Sequence, residues 1–341
     1  MKRLWPVFRS ALFSVDPEAA HDRVLGFLEG LSHSSGGRQL LQLLSAQAKL
    51  PSSASKRLWG LDFRTPVGLA AGFDKNGRLL RALPHLGFGF AEIGSVTPKA
   101  QLGNPRPRMS RDPSRQALWN AMGFNNEGAE AVARRLAHAR EAGWIPSDFP
   151  VGVNLGKNKD TPNEQARLDY FEGARLFLGL ADYLVINLSS PNTPGLRALQ
   201  EPRAIRGILD PILELREARS LNTPILLKLA PEIEGEGLGE LLSGLEDRVE
   251  GWVLTNTLQS LSGDRAGGLS GGPLRDISRL RLKEALSWTS KPVISCGGIL
   301  DVEEARSRRD LGATLIQVYT GYIYGGPSYP VELSQAWDKT L

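Results

Sequence analysis

Residues 183–195 read YLVINLSSPNTPG, a short apolar run from Tyr183 to Asn187 followed at once by small, polar and turn-forming residues. A run of that length, with β-branched Val185 and Ile186 and bounded by turn formers, reads as a buried strand ending in a loop. The pattern recurs in VGLAA (67–71), FAEIGS (90–95), VGVNL (151–155), ILLKL (225–229), GWVLT (251–255), PVISC (292–296) and TLIQV (314–318). Helically patterned stretches such as Glu127 to Ala142 and Arg203 to Ser220 lie between them. That alternation belongs to a parallel sheet wrapped by helices, and eight repeats predict an α/β fold closed as a (β/α)8 TIM barrel. A doubly wound open sheet is the alternative. It would usually begin with a Gly-x-Gly-x-x-Gly turn, and none follows any of these runs.

The chain has 341 residues, more than the roughly 250 of a bare barrel, so it has room for an appendage. The boundary falls near residue 50: residues 1–50 form a helical extension and residues 51–341 the barrel, with Pro51 to Ser55 as linker. Asp16-Pro17 is a helix start, Asp capping and Pro in the first turn. Ala20, Val24, Phe27, Leu28 and Leu31 then recur at helical spacing. Gly36-Gly37 breaks the chain ahead of a second short helix carrying Leu40, Leu41, Leu43 and Leu44, so the extension is expected to hold two helices. Before them, Lys2, Arg3 and Arg9 are mixed with Leu4, Trp5, Val7, Phe8, Leu12 and Phe13, as in a segment lying in a lipid interface. A helical cap packed on the barrel is the plainer reading of the same residues.

Composition narrows the function. With 41 Lys+Arg against 37 Asp+Glu, the net charge of +4 is too small to point to nucleic acid. One cysteine, Cys296, excludes an intrachain disulfide, and it reads as a small buried residue at a strand end. The histidines (His21, His33, His85, His138) are scattered, and no metal is expected. No apolar stretch approaches the ~18 residues of a spanning helix, so membrane contact would be peripheral. The basic run Arg306, Arg308, Arg309 reads as a solvated helix face.

The polar residues fall at the ends of the predicted strands: AAGFDKNG, GSVTP, NLGKNK, NLSSPNTPG, KLAPE, TNT, CGGI and YTGY. In a barrel of this kind those ends converge on one face, where active sites are built. Turn chemistry explains the glycines and prolines, but not Asn154, Asn187, Lys228 and Thr255-Asn256. A buried lysine there needs a partner. Gly297-Gly298 and Tyr319-Thr320-Gly321 end the seventh and eighth runs, the usual phosphate site of the fold. Flavin mononucleotide (FMN) fits such a mouth, although other phosphorylated ligands fit the glycines equally well.

Taken together, VGLAAGFDKNG, EIGSVTPKAQLGNPRPR, NAMGFNNEG, VNLGKNK, NLSSPNTPGLR, LKLAPE, TNT, GGLSG, CGGI and VYTGYIYGGP closely resemble the dihydroorotate dehydrogenases, from about residue 10 to residue 330. LFSVDPEAAHDRV, similar to a helical extension, and Ser190 in NLSSPN point to the quinone-dependent, membrane-associated class. The resemblance implies oxidation of dihydroorotate to orotate in pyrimidine biosynthesis, with electrons passing through FMN to a membrane quinone. It implies a peripheral place on the cytoplasmic face of the cell membrane, and a monomer is compatible with it.

For FMN the resemblance implies Ala70, Ala71, Gly72, Phe73, Asp74, Ser95, Asn154, Asn187, Lys228, Thr255, Gly271, Gly298, Tyr319 and Thr320. For the pyrimidine it implies Lys75, Asn120, Ala121, Met122, Gly123, Phe124, Asn187, Asn192, Asn256 and Thr257. Ser190 would be the base, with Thr193 and Phe124 shaping its proton route, and His21 and Arg111 would line the quinone access. Ala121 departs from the family's usual Arg, which puts any contact of that Arg in doubt.

Three other functions compete. A soluble-acceptor dihydroorotate dehydrogenase leaves the amphipathic N-terminus unexplained. A flavin enzyme reducing uridine in transfer RNA, of the dihydrouridine synthase kind, would want a basic face. An aldolase or isomerase acting on a phosphosugar would carry no flavin.

Overall fold

The computed structural model describes residues 5–193 and 195–338. Lys2, Arg3 and Leu4 of the amphipathic N-terminal stretch, and Pro194 of the NLSSPNTPG loop, lie outside the described residues. Eight parallel strands close a barrel in chain order: β1 (Val67–Leu69), β2 (Phe90–Val96), β3 (Val151–Leu155), β4 (Tyr183–Asn187), β5 (Ile225–Leu229), β6 (Gly251–Leu254), β7 (Val293–Cys296) and β8 (Leu315–Val318). Each strand is buried along its whole length, as expected where helices cover the outside and side chains fill the inside. The helices that wrap them show the spacing that requires burial. Pro202–Ala218 turns Ile205, Ile208, Leu209 and Ile212 inward.

Inside the barrel, Phe90, Tyr183, Val185, Leu226, Val253, Ile294 and Leu315 form a second apolar cluster with Phe63. Space for the rings comes from glycine: a Cβ on Gly152 would lie 2.1 Å from the Tyr183 ring. Phe63 belongs to an antiparallel hairpin, Lys56–Leu58 with Leu61–Phe63, that the sequence reading did not anticipate. Its turn residue Trp59 donates to the Glu250 carbonyl at 2.9 Å. The hairpin therefore lies against the strands' N-terminal ends and leaves the opposite end for the site.

That opposite end is covered by a four-stranded antiparallel sheet, ordered Leu258–Ser262, Arg265–Gly271, Ala117–Asn120 and Met109–Asp112.

The extension holds three helices, where two were expected: α1 (Trp5–Phe13), α2 (Pro17–Ser32) and α3 (Ser35–Leu44). Asp16 caps α2 as read, accepting from Ala19 N at 2.9 Å. The break before α3 lies at Ser34, whose hydroxyl accepts from Gly37 N at 3.0 Å; Gly36 and Gly37 are in the first turn of the helix. Gly37 packs against the Leu31 carbonyl, closer than any Cβ would permit. The inner face of α2 also differs, because Leu25 is buried and Phe27 points to solvent. Glu18 on α2 is buried against Arg108, at 2.7 Å, so the extension is tied to the barrel loops by an ion pair as well as by apolar contact. Burial works to raise the Glu18 pKa, but the Arg108 and Arg106 guanidiniums outweigh it and leave it below the usual carboxylate range.

Candidate active site

A cavity opens at the C-terminal ends of the strands, beneath the antiparallel sheet. The strand-end residues read from the sequence converge on it. Ala70, Ala71 and Gly72 follow β1, Ser95 is in β2, Asn187 ends β4 and Lys228 is in β5. Thr255 follows β6, Gly298 follows β7, and Tyr319 and Thr320 follow β8. Gly271 reaches the cavity from the covering sheet. The residues implied for a pyrimidine also line it: Lys75, Asn120, Met122, Gly123, Phe124, Asn192, Asn256 and Thr257, with Ser190 among them.

Five of the residues implied for FMN, the pyrimidine or the proton route are not in the lining. Asn154 is fully buried beneath it, and Ala121 is buried behind it. Phe73 packs edge-on to Tyr319, centroids 5.6 Å apart, behind the wall. Asp74 accepts from Arg78 N at 2.9 Å and Leu79 N at 2.7 Å, so it shapes the loop that presents Lys75. Thr193 is buried in the Ser190 loop, outside the lining.

A continuous polar network runs under the floor. The Asn187 amide donates to Ser95 Oγ and Asn154 Oδ1, both at 3.0 Å. Asn187 Oδ1 accepts from Ser189 Oγ at 2.9 Å and from the Asn256 amide at 3.3 Å. Ser95 donates to Asn154 as well. Neighbouring strands bring these side chains together, since Ser95, Asn154 and Asn187 lie on the successive barrel strands β2, β3 and β4. Higher up, the Asn192 amide donates to Asn120 Oδ1 at 2.9 Å, while Asn192 Oδ1 is buried without a partner among the described residues. An unpaired buried acceptor is costly unless a ligand donor meets it.

Two residues of the network went unread in the sequence. Glu92, in the middle of β2, is the partner that buried Lys228 requires, with Oε1 3.9 Å from the ammonium. Gln317 on β8 donates to the other Glu92 oxygen at 2.6 Å. A charged or amide residue inside an apolar strand run was the available signal, because an inward side chain of that kind must be satisfied.

Lys228 lines the cavity and, among the described residues, makes no hydrogen bond to the protein. Its ammonium thus keeps donors free for a ligand in the cavity, which fits an electron-rich ring edge of the kind a flavin presents. The turn after β7 fits an oxyanion at the ring's far end by shape: Gly298 (φ +71°) packs on Arg275, where a Cβ would lie 2.2 Å from its Cα. Arg308 holds this turn. It was expected on a solvated face, but it is fully buried, paired with Glu304 at 2.7 Å and donating to Ser278 Oγ and the Gly297 carbonyl. The correction has a simple cause: Arg308 is four residues from Glu304 on one helix face, and that face packs inward.

Ser190 Oγ accepts from Asn192 N at 3.2 Å. Burial pulls the Lys75 pKa down to about 8. Cys296 lines the cavity, and burial pushes its thiol up, away from nucleophile character.

His21 and Arg111 do not meet. His21 packs edge-on to Phe73, centroids 5.2 Å apart, and borders a small second cavity with Glu18, Lys75 and Arg78. Burial pulls it down to about 3, so the ring is neutral. Arg111 donates to the Phe13 and Val15 carbonyls and stacks over the Phe13 ring at 4.7 Å.

The family model for dihydroorotate dehydrogenase matches residues 53–341. The dihydroorotate dehydrogenase (quinone) of Acidithiobacillus ferrooxidans is 43% identical, over 96% of this chain and 92% of that protein. The protein of the same name from Thermus thermophilus is 44% identical, over 94% and 92%. Among solved structures, the Eimeria tenella dihydroorotate dehydrogenase in complex with ferulenol superposes with a TM-score of 0.85 at 34% identity, over 94% of this chain and 90% of that one.

Proposed function

The chain belongs to the dihydroorotate dehydrogenase family, and we infer that it oxidises dihydroorotate to orotate in pyrimidine biosynthesis and hands the electrons to a quinone. The carrying observation is the mouth itself, where Lys75, Asn120, Asn192 and Asn256 surround one cavity with Ser190 and Lys228. It is a flavin enzyme, and the flavin is FMN in this reading, held by Lys228, Asn187, Ser95, Thr255, Gly271, Gly298, Tyr319 and Thr320. Bound there, the flavin supplies the acceptor for the hydride leaving C6.

The protein's own part is positioning and proton transfer. Lys75 takes the substrate carboxylate, and the carboxamides of Asn120, Asn192 and Asn256 take the ring amides and carbonyls. Ser190 Oγ removes the C5 proton as the C6 hydride departs, so the substrate loses one proton and one hydride. A neutral serine is a weak base, and its own proton must leave during the step. Thr193 and Phe124 are the neighbours assigned to that route. The Asn192 N–H bond to Ser190 Oγ stabilises the developing oxyanion.

The extension serves the second half-reaction at the cytoplasmic face of the membrane. The support is its exposed apolar surface: Val7, Phe8, Phe27, Leu40 and Leu43 lie on α1–α3. Lipid contact is peripheral in this reading, and no described helix is long and apolar enough to cross a membrane. Trp5 and Phe13, expected at the lipid, instead face the barrel: Trp5 donates to the Tyr324 carbonyl at 2.9 Å, and Phe13 lies edge-on to the Tyr324 ring at 5.3 Å. The quinone enters between the extension and the barrel, past His21 and Phe73 toward Tyr319.

Anaerobic mixing with dihydroorotate tests the assignment. Flavin absorbance should bleach, and a long-tailed quinone should restore it. Denatured protein that releases no flavin, or releases the dinucleotide, would count against FMN.

A further inference from the structure

Glu92 is a carboxylate with a fully buried side chain, one layer below a cavity floor it does not line. Burying such a group is tolerable only if it is paired and hydrogen-bonded. Oε1 accepts from the Asn154 amide at 2.7 Å and faces Lys228 Nζ at 3.9 Å, while Oε2 accepts from the Gln317 amide at 2.6 Å. Three strands beyond its own, β3, β5 and β8, thus converge on one side chain. Lys228 has no other ion-pair partner and no hydrogen bond among the described residues, so Glu92 alone balances its charge. Nothing in the reaction described above uses this carboxylate.

We propose that Glu92 is a positioning residue for the redox chemistry: it anchors the Lys228 ammonium at the cavity floor and offsets part of the positive charge that Lys228 presents to the bound ring. The inference rests on the flavin reading of the cavity. An ammonium near the ring favours the reduced, electron-rich state, and a carboxylate just behind it moderates that preference. The ion pair therefore sets the reduction potential at a value from which the flavin can both accept hydride and give electrons to a quinone.

The geometry makes the test clean. Glu92→Gln keeps shape and volume, removes the charge and turns one acceptor into a donor. Gln317 can rotate its amide to accept from the new carboxamide, since Gln317 Oε1 has no partner among the described residues. The bound flavin's potential is read by equilibration with a reference dye, without turnover. Glu92→Gln should shift that equilibrium at least tenfold toward reduced flavin, which is about 30 mV for a two-electron couple. Lys228→Met should shift it the other way, and the double variant should return to within threefold of the parent. Flavin-loaded Glu92→Gln with an unmoved potential overturns the proposal. If Glu92→Gln alone does not fold, the double variant must fold, because it buries no unpaired charge; failure of that rescue overturns the proposal as well. Parent protein without flavin would sink the flavin reading and this inference with it, whereas flavin-loaded parent with an unmoved variant sinks the inference alone.

Discussion

In the barrel mouth the chain buries Glu92, Asn154, Asn187 and Lys228, while in α1–α3 it leaves Val7, Phe8, Phe27, Leu40 and Leu43 in solvent. Both regions invert the ordinary rule of polar outside and apolar inside, and they do so under different constraints. A buried amide must find a hydrogen-bond partner and a buried charge an opposite charge close by, so each residue in the mouth constrains the identity of the next. An exposed apolar side chain is constrained only by area, and many sequences would serve. Single substitutions should therefore be severe in the mouth and graded in the extension.

The sharpest break should come at Ser190. Ser190→Ala keeps the loop, and the protein should retain flavin and bind orotate. Flavin bleaching by dihydroorotate in a stopped-flow instrument should slow by about 10²–10⁴-fold, the usual loss on removing a general base. Bleaching at the parent rate would move the base to another residue.

Glu18 tests where the two regions meet, because it lies on the extension but is buried like a mouth residue. Glu18→Ala leaves the Arg108 guanidinium buried without its carboxylate and should cost roughly 3 kcal/mol of stability in denaturant titration. The Glu18 pKa is lowered in the folded protein, so its contribution is fully present above the unfolded value and is lost as pH falls through the folded one. The parent's stability should decline in that acid window, and the variant's should decline less. Equal acid sensitivity in both would detach Glu18 from the pairing.

On the outer side of the extension the effect should be smaller and should appear only with lipid. Phe8→Ser removes an exposed ring and should leave flavin reduction untouched, while weakening binding to anionic vesicles about 10- to 100-fold, in line with the ~1.5–3 kcal/mol of a buried aromatic. Unchanged partition in a flotation assay would return α1 to the role of a cap.

The same contrast explains what was legible in the sequence. The barrel could be read because eight apolar runs were spaced by helices, and the mouth because Asn and Lys at strand ends have few structural reasons to be there. Glu92 and Gln317 were missed because each sits inside a run whose apolar neighbours dominate the pattern. Arg308 was misread because a basic run looks solvated until its Glu304 partner and the buried face of the helix are seen together. The third helix, α1, and the outward turn of Phe27 escaped for another reason: helical spacing gives a face but not what that face meets.

Lys75 gives the finest test of the comparison, since it borders both the main cavity and the small cavity under His21. Burial pulls it down to about 8, with Glu18 working in the opposite direction. The ammonium is the form that takes a carboxylate, and it is present below that value and lost above it. kcat/KM for dihydroorotate reports groups of the free enzyme, so it should fall on the alkaline side. With one required proton and a pKa of about 8, the loss is about twofold at pH 8 and about tenfold at pH 9. The fall should appear chiefly in KM, because substrate carboxylate in the site holds the proton on Lys75. In Glu18→Gln the counter-charge is gone, and the alkaline limb should move to lower pH. An unmoved limb would mean that the extension does not reach the pyrimidine site electrostatically, and Lys75 would then belong to the mouth alone.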